Sequence, residues 1–196
     1  HTASTRGGWF ENGKGLLQDL ILAERYNAST WQYIFKKSLC KKFAVRFSGR
    51  AHEDHWFSMN VYLYSGKTFS VQDNLYFQRE RKGSLTQSAK DAAYVLGGYD
   101  AYRETLGALK AHVNGFIRGK DVALAFMERN VSATVVKCLK NNVRLPDHFF
   151  RLTRADASEC GAAVHGRIPV LLPELFFFFK KVRFSVRMFF RGLRKA

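Results

Sequence analysis

Lysine and arginine are the side chains through which this sequence could do chemistry, and that chemistry is the binding of phosphate. They number 32 against 16 aspartate and glutamate residues, so the formal net charge is +16 at pH 7. Hydrophobic residues make up 46% of the chain and aromatic residues 15%, which is too much apolar content for a disordered basic tail. We therefore expect a folded protein that binds a polyanion, either nucleic acid or an anionic membrane surface.

Residues that could serve catalysis or metal binding are few and scattered. His52 and His55 lie close together in the sequence, but no cysteine or carboxylate cluster accompanies them, so we predict no metal site. Residues 100–145 carry only isolated acids, whereas a magnesium-dependent nuclease needs paired carboxylates. The sequence therefore predicts a protein that is not an enzyme and has no cofactor.

The segment 8–15, GWFENGKG, has the spacing of a phosphate-binding loop and precedes a predicted helix. Gly15 stands where such a loop needs a hydroxyl residue to hold magnesium, and no apolar strand comes before Gly8. The glycine amides could still bind an anion, but we predict no nucleotide hydrolysis.

The hydropathy pattern predicts an α+β fold with the order α-β-β-β-α over residues 12–98. Leu16, Leu17, Leu20 and Ile21 recur at the spacing of an amphipathic helix. Alternating and aromatic residues then predict three strands, and a last helix opens at Ser84 and closes at a glycine pair. The predicted strands cover residues 43–47, 56–64 and 68–71, and the glycine pair is 97–98.

Three short sequences in this segment resemble the double-stranded-RNA-binding domain, in the form found at the C-terminus of ribonuclease III. Residues 12–20, NGKGLLQDL, resemble the start of the family's first helix. GRAH at 49–52, followed by Trp56 and Phe57, resembles its Gly-Pro-x-His loop and the strand after it. SAKDAA at 88–93 resembles the Ala-Lys-x-Ala-Ala stretch of its last helix.

The resemblance implies a surface that contacts the shape, the 2′-hydroxyls and the phosphates of duplex RNA. Lys14 and Gln18 would lie along one minor groove, and Arg50 and His52 would enter the next. Cations near the last helix would bind the phosphates between these grooves, and they are Arg79, Arg81, Lys82 and Lys90.

The sequence also departs from the family and leaves alternatives open. Thr86 and Gln87 stand where the family has a lysine pair, and Arg50 stands in place of proline, so the domain could bind protein instead of RNA. Lys14 and Gln18 could simply form the solvated face of a helix. The aromatic residues of the predicted strands could form a base-stacking platform or a hydrophobic core.

The rest of the chain divides into an N-terminal arm at 1–11, a helical region at 99–145 and an extension at 146–196. All three prolines lie in the extension. Its last part is predicted to be a basic amphipathic helix, which suits a membrane surface as well as an RNA groove beside a protein. The cations on its polar stripe that we expect to contact RNA are Arg183, Arg187 and Arg191.

These features favour a structural RNA-binding protein, and we predict a mitochondrial ribosomal protein that docks on folded ribosomal RNA beside neighbouring ribosomal proteins. The predicted location, the mitochondrial matrix, follows from the basic excess and from a chain that begins at His1 rather than Met. One alternative is an accessory subunit of an inner-membrane respiratory or ATP synthase complex, with its tail on lipid. A second is an RNA-processing protein that pairs with a nuclease.

Overall fold

The computed structural model describes residues 7–47, 52–73, 75–77, 79, 90–161 and 177–181. The strands are β1 (Gly8–Phe10) and β2 (Thr68–Ser70). Short 3₁₀ turns cover Thr30–Gln32 and Val113–Gly115. The helices are α1 (Gly13–Leu22), α2 (Lys37–Phe43), α3 (Glu53–Tyr64), α4 (Ala92–Ala111), α5 (Gly119–Lys140) and α6 (Phe149–Glu159).

β1 and β2 form a two-stranded antiparallel ribbon in which Trp9 lies opposite Phe69. The strand predicted at 68–71 is thus confirmed, although its partner comes from the N-terminal arm. The described residues are mostly helical with this small sheet beside them, which agrees with the α+β class.

The predicted first helix is confirmed as α1. Asn12 caps it, because its side-chain oxygen accepts a 2.9 Å hydrogen bond from the Gly15 amide. The predicted apolar face is the buried one, and its members are Leu16, Leu17, Leu20 and Ile21.

α1 begins at a close approach to the end of α3. The Gly13 amide donates a 3.0 Å hydrogen bond to the carbonyl of Ser65. A Cβ added at Gly13 would lie 2.3 Å from the carbonyl oxygen of Tyr62. The absence of a side chain at this position therefore sets how closely the two helices pack.

Residues 56–64, predicted as a strand, form most of α3 instead. Every residue from 57 to 63 is buried, so the run has no exposed face whose period could distinguish strand from helix. Glu53 and Asp54 occupy the first turn, where acidic side chains stabilise the positive end of the helix dipole. The three-stranded order of the double-stranded-RNA-binding domain is therefore wrong in this part of the chain.

The strand predicted at 43–47 is also wrong. Its first residue is the last of α2, and Ala44 then takes the left-handed conformation with φ of 52°. Phe43 stacks on Tyr64, and Phe47 stacks on Phe57. The alternation of apolar residues reflects their packing on α3 rather than on a sheet.

The predicted last helix overlaps α4, which begins at Ala92 and continues further than expected. The Asp91 side chain caps α4 by accepting a 2.7 Å hydrogen bond from the Tyr94 amide, whereas residues 84–89 lie outside the described residues. α4 then runs through the glycine pair 97–98 and across the boundary predicted between 98 and 99. The glycines do not end it, because Tyr99 and Leu106 continue its buried stripe beyond them.

α1, α3, α4 and α5 share one hydrophobic core, with Leu17, Met59 and Met127 fully buried in it. α6 joins the same core through Phe149 and Ala157, although it lies in the segment predicted as an extension. Of the helices described, none has the length and apolar content that crossing a membrane requires.

Gly13→Ala and Gly107→Ala should change stability in opposite directions. The new methyl at position 13 would overlap the Tyr62 carbonyl, so we expect the free energy of unfolding to fall by about 1–3 kcal/mol, the usual cost of overpacking. At the exposed Gly107 in α4, no atom of the described residues lies within 4 Å of an added Cβ. We expect that substitution to stabilise the protein by about 0.5–1 kcal/mol, because alanine lowers the entropy of the unfolded chain.

Urea denaturation, followed by far-UV circular dichroism, measures both effects. Shifts of the same sign and size at the two positions would contradict the close approach of α1 and α3.

Candidate nucleic-acid interface

Five cations surround α2 and form what we call the α2 basic surface, made up of Lys36, Lys37, Lys41, Lys42 and Arg46. All five residues are exposed. Among the described residues, no carboxylate lies within ion-pair distance of any of them. Helical geometry places Leu39 and Cys40 on one side of α2 and its lysines on the other. α2 therefore presents a cationic face to solvent.

The inner side of α2 is held by a small hydrophobic cluster of its own. Val45, Phe57 and Val61 are buried in this cluster, and Leu39 and Cys40 pack against it. α2 has only seven residues, and an isolated helix of that length is not stable in water. Packing against α3 therefore holds α2 and orients its lysines.

Exposed aromatic rings lie among these cations. The Phe43 ring stacks on Tyr64 with centroids 4.5 Å apart, and the Lys42 ammonium lies 5.1 Å from the Phe43 centroid. Phe47 stacks on Phe57 at 4.0 Å and is half exposed. Cations bind phosphates and exposed rings stack on bases. The α2 basic surface and the neighbouring rings of Phe43 and Phe47 therefore offer contacts to both parts of a nucleic acid.

The cations of α4 that face α6 are, by contrast, neutralised. Asp156 is buried and forms ion pairs with Arg103 and, at 3.1 Å, with Lys110. Lys110 also pairs with Glu159, and the hydrogen bond from its ammonium lowers the pKa of the Glu159 carboxyl. These charges stabilise the contact between α4 and α6 rather than facing a ligand.

Lys14 and Gln18, two of the residues implied by the resemblance, come together at a different place from α2. Both line a groove of about 300 Å³ beside β1 and the turn before α5, together with Trp9 and Phe116. The Gln18 side-chain oxygen accepts a 2.9 Å hydrogen bond from the Arg118 amide. We call this the Trp9 groove.

His52 lies directly before α3, with φ of 68°, rather than between two strands. Its Nε2–H donates a 2.9 Å hydrogen bond to the Tyr94 carbonyl, and its ring lies 4.4 Å from the Tyr94 ring. The expected hairpin geometry is therefore wrong at this residue, because the chain after it is helical. Its contact with RNA stays a prediction.

The other predicted contact residues are dispersed. Lys90 precedes α4, and its ammonium lies 4.6 Å from the centroid of the Tyr94 ring, so Lys90 and His52 meet at the same ring. Arg79 is exposed. The remaining predicted contacts lie outside the described residues, and they are Arg50, Arg81, Lys82, Arg183, Arg187 and Arg191.

The α2 basic surface was not among the predicted contacts, although the sequence contains a signal for it. Residues 25–52 include seven lysines and arginines and no aspartate or glutamate. Such an acid-free stretch cannot neutralise its own charge, so it marks a surface open to an anionic partner. The resemblance selected Arg50 and His52 from this stretch and left its lysines unassigned.

Burial lowers the pKa of His55 below its ordinary value of 6.5, Asp54 opposes this shift, and His52 and Lys137 add to it. The His55 Nδ1 atom is buried and has no hydrogen-bond partner among the described residues. Within those same residues, no three His, Cys, Asp or Glu side chains come together as they would around a metal ion. His55 is therefore a neutral, partly buried side chain at pH 7.

Comparisons of the chain with protein-family models, with curated proteins and with solved structures find no match.

His55→Gln should weaken the dependence of stability on pH. The unfolded chain takes up a proton at His55 near pH 6.5, whereas the folded chain does so only at lower pH. We therefore expect the natural chain to lose stability as the pH falls below 6.5, by at most about 1.4 kcal/mol per pH unit from this one group. The variant should lose this contribution.

Urea denaturation at pH 7.5, 6.5 and 5.5 measures the effect, and His148→Gln is a matched control that removes an imidazole elsewhere. A pH profile of His55→Gln that superimposes on that of the natural chain would contradict the neutral, partly buried state of His55.

Proposed function

We propose that this chain binds structured RNA, without catalysis, through the α2 basic surface. The observation that carries the proposal is a set of five exposed cations with no ion-pairing carboxylate among the described residues. Each such cation that contacts a phosphate releases condensed counterions from the nucleic acid, which favours binding at physiological salt.

The geometry of α2 favours a polyanion over the apolar interior of a membrane. A helix that lies on a membrane buries its apolar side among the lipids, but the apolar side of α2 is already packed on α3. What α2 presents to a partner is charge, with the partly exposed rings of Phe43 and Phe47 beside it. Phosphates with bases nearby match this combination better than lipid does.

A membrane surface remains the second candidate because of the segment just before α2. Ile34 is fully exposed and Trp31 is 46% exposed, and residues of these types can enter the headgroup region beside lysines. This is the observation that favours the predicted alternative of an inner-membrane accessory subunit.

The proposal does not use the resemblance to the double-stranded-RNA-binding domain, because α3 takes the place of a predicted strand. It places the RNA contact on the lysines of α2 rather than on a hairpin. Membership of a mitochondrial ribosome, contact with neighbouring ribosomal proteins and location in the matrix stay predictions from the sequence.

Replacing Lys37, Lys41 and Lys42 by glutamine should weaken RNA binding and lower its salt dependence. If each lysine contacts one phosphate, the slope of log K against log [KCl] should become less negative by roughly three. Fluorescence anisotropy with a labelled hairpin RNA over a series of KCl concentrations measures both changes.

The matched control replaces three exposed cations of other helices by glutamine, so that the net charge falls by the same amount. These cations are Lys120, Lys140 and Arg151. If both triple variants lose the same affinity and slope, the α2 basic surface is not the binding site. Flotation with anionic vesicles tests the second candidate, a membrane surface. Binding to vesicles without binding to RNA would overturn the proposed RNA-binding function and favour the membrane alternative.

A further inference from the structure

The Trp9 groove shares no residue with the α2 basic surface, and it is a concave site rather than a row of exposed cations. It is about 300 Å³ in volume, the small end of the roughly 300–1,000 Å³ range of ligand pockets. Trp9 is 62% exposed on its rim, and Phe69 meets its ring edge-on with centroids 5.0 Å apart. Much of the Trp9 side chain is thus accessible to solvent.

A lysine ammonium is held at the same groove. A Cβ added at Gly115 would lie 2.6 Å from the Lys14 ammonium nitrogen, so the Lys14 side chain lies across the space that this glycine leaves empty. Among the described residues, no carboxylate is paired with the Lys14 ammonium.

Further polar and charged groups lie in the groove, at Gln18 and Glu11, and beside it, at Lys67. The Gln18 side-chain oxygen is used by the Arg118 amide, which leaves the Gln18 NH2 group as a hydrogen-bond donor. Lys67 lies over the Trp9 ring, with its ammonium 5.3 Å from the centroid. Glu11 also lines the groove and contributes its negative charge to the rim.

We infer that the Trp9 groove binds a single unpaired nucleotide, whose base stacks on Trp9 and whose phosphate contacts the Lys14 ammonium. An aromatic ring that stacks on a base beside a cation that binds phosphate is the usual means of holding single-stranded nucleic acid. The small volume suits one nucleotide rather than a strand. The inference rests on the proposed function, because RNA would bring the nucleotide to the chain.

The test compares two hairpin RNAs that differ by one bulged nucleotide, with binding measured by fluorescence anisotropy. We expect the natural chain to bind the bulged hairpin roughly tenfold more tightly, as one stacked base allows. Trp9→Leu should abolish this preference, whereas Trp31→Leu, which removes the other exposed tryptophan, should keep it.

Two further variants test the position and the sign of the charge. Gly115→Ala keeps Lys14 but displaces its ammonium, so the preference for the bulge should fall although the net charge is unchanged. Glu11→Gln removes a repulsive carboxylate and should strengthen binding of the bulged hairpin by roughly two- to fivefold, the range for exposed charge pairs. Effects of opposite sign at these two positions support a bound phosphate.

Failure of this inference and failure of the proposed function give different results. If the α2 triple variant weakens both hairpins while Trp9→Leu keeps the bulge preference, the inference is wrong and the proposed function holds. If neither hairpin binds, adenosine monophosphate is titrated into a Trp31→Phe, Trp56→Phe variant, in which Trp9 is the remaining tryptophan. Quenching of Trp9 would then support a site for free nucleotide, and no quenching would overturn the inference.

Discussion

The burial of α3 on all sides is the constraint on which the rest of the described structure depends. Met59 and Leu63 face the main core with α1, α4 and α5, whereas Phe57 and Val61 form a second cluster that holds α2. One helix therefore serves two cores. It fixes α1 through the close approach at Gly13, and it fixes α2 through packing that leaves the lysines of α2 exposed.

Paired and unpaired charges lie on different helices of the described structure. Around α6 the buried carboxylate of Asp156 is matched by Arg103 and Lys110, because an unpaired charge at that depth would be costly. Around α2 the cations stand in solvent, where an unpaired ammonium is well hydrated and costs little. The cations that stabilise the fold are thus distinct from those that are open to a partner.

The sequence predicted correctly those elements whose residues show one periodic face. α1 was recognisable because Leu17 and Leu20 recur on one side with polar residues between them, and the strand at 68–71 was recognisable from its turn and alternation. α3 was not, because its polar Ser58 and Asn60 are buried with the apolar residues and alternate with them, which gives the period of a strand. The groove followed the same rule. Lys14 and Gln18 were identified from a local motif and Trp9 lies just before them in the chain, but Gly115 comes from a distant segment that no local motif reveals.

The sequence by itself determined the excess of positive charge, its concentration in the acid-free residues 25–52, and enough apolar content to fold. These are sums over residues, so no contact is needed to establish them. The tertiary structure decided which of the cations remain unpaired, that α3 is a helix, and that Trp9 and Lys14 share one groove with Gly115. Those outcomes depend on packing between segments that are not neighbours in the sequence, which local patterns do not record.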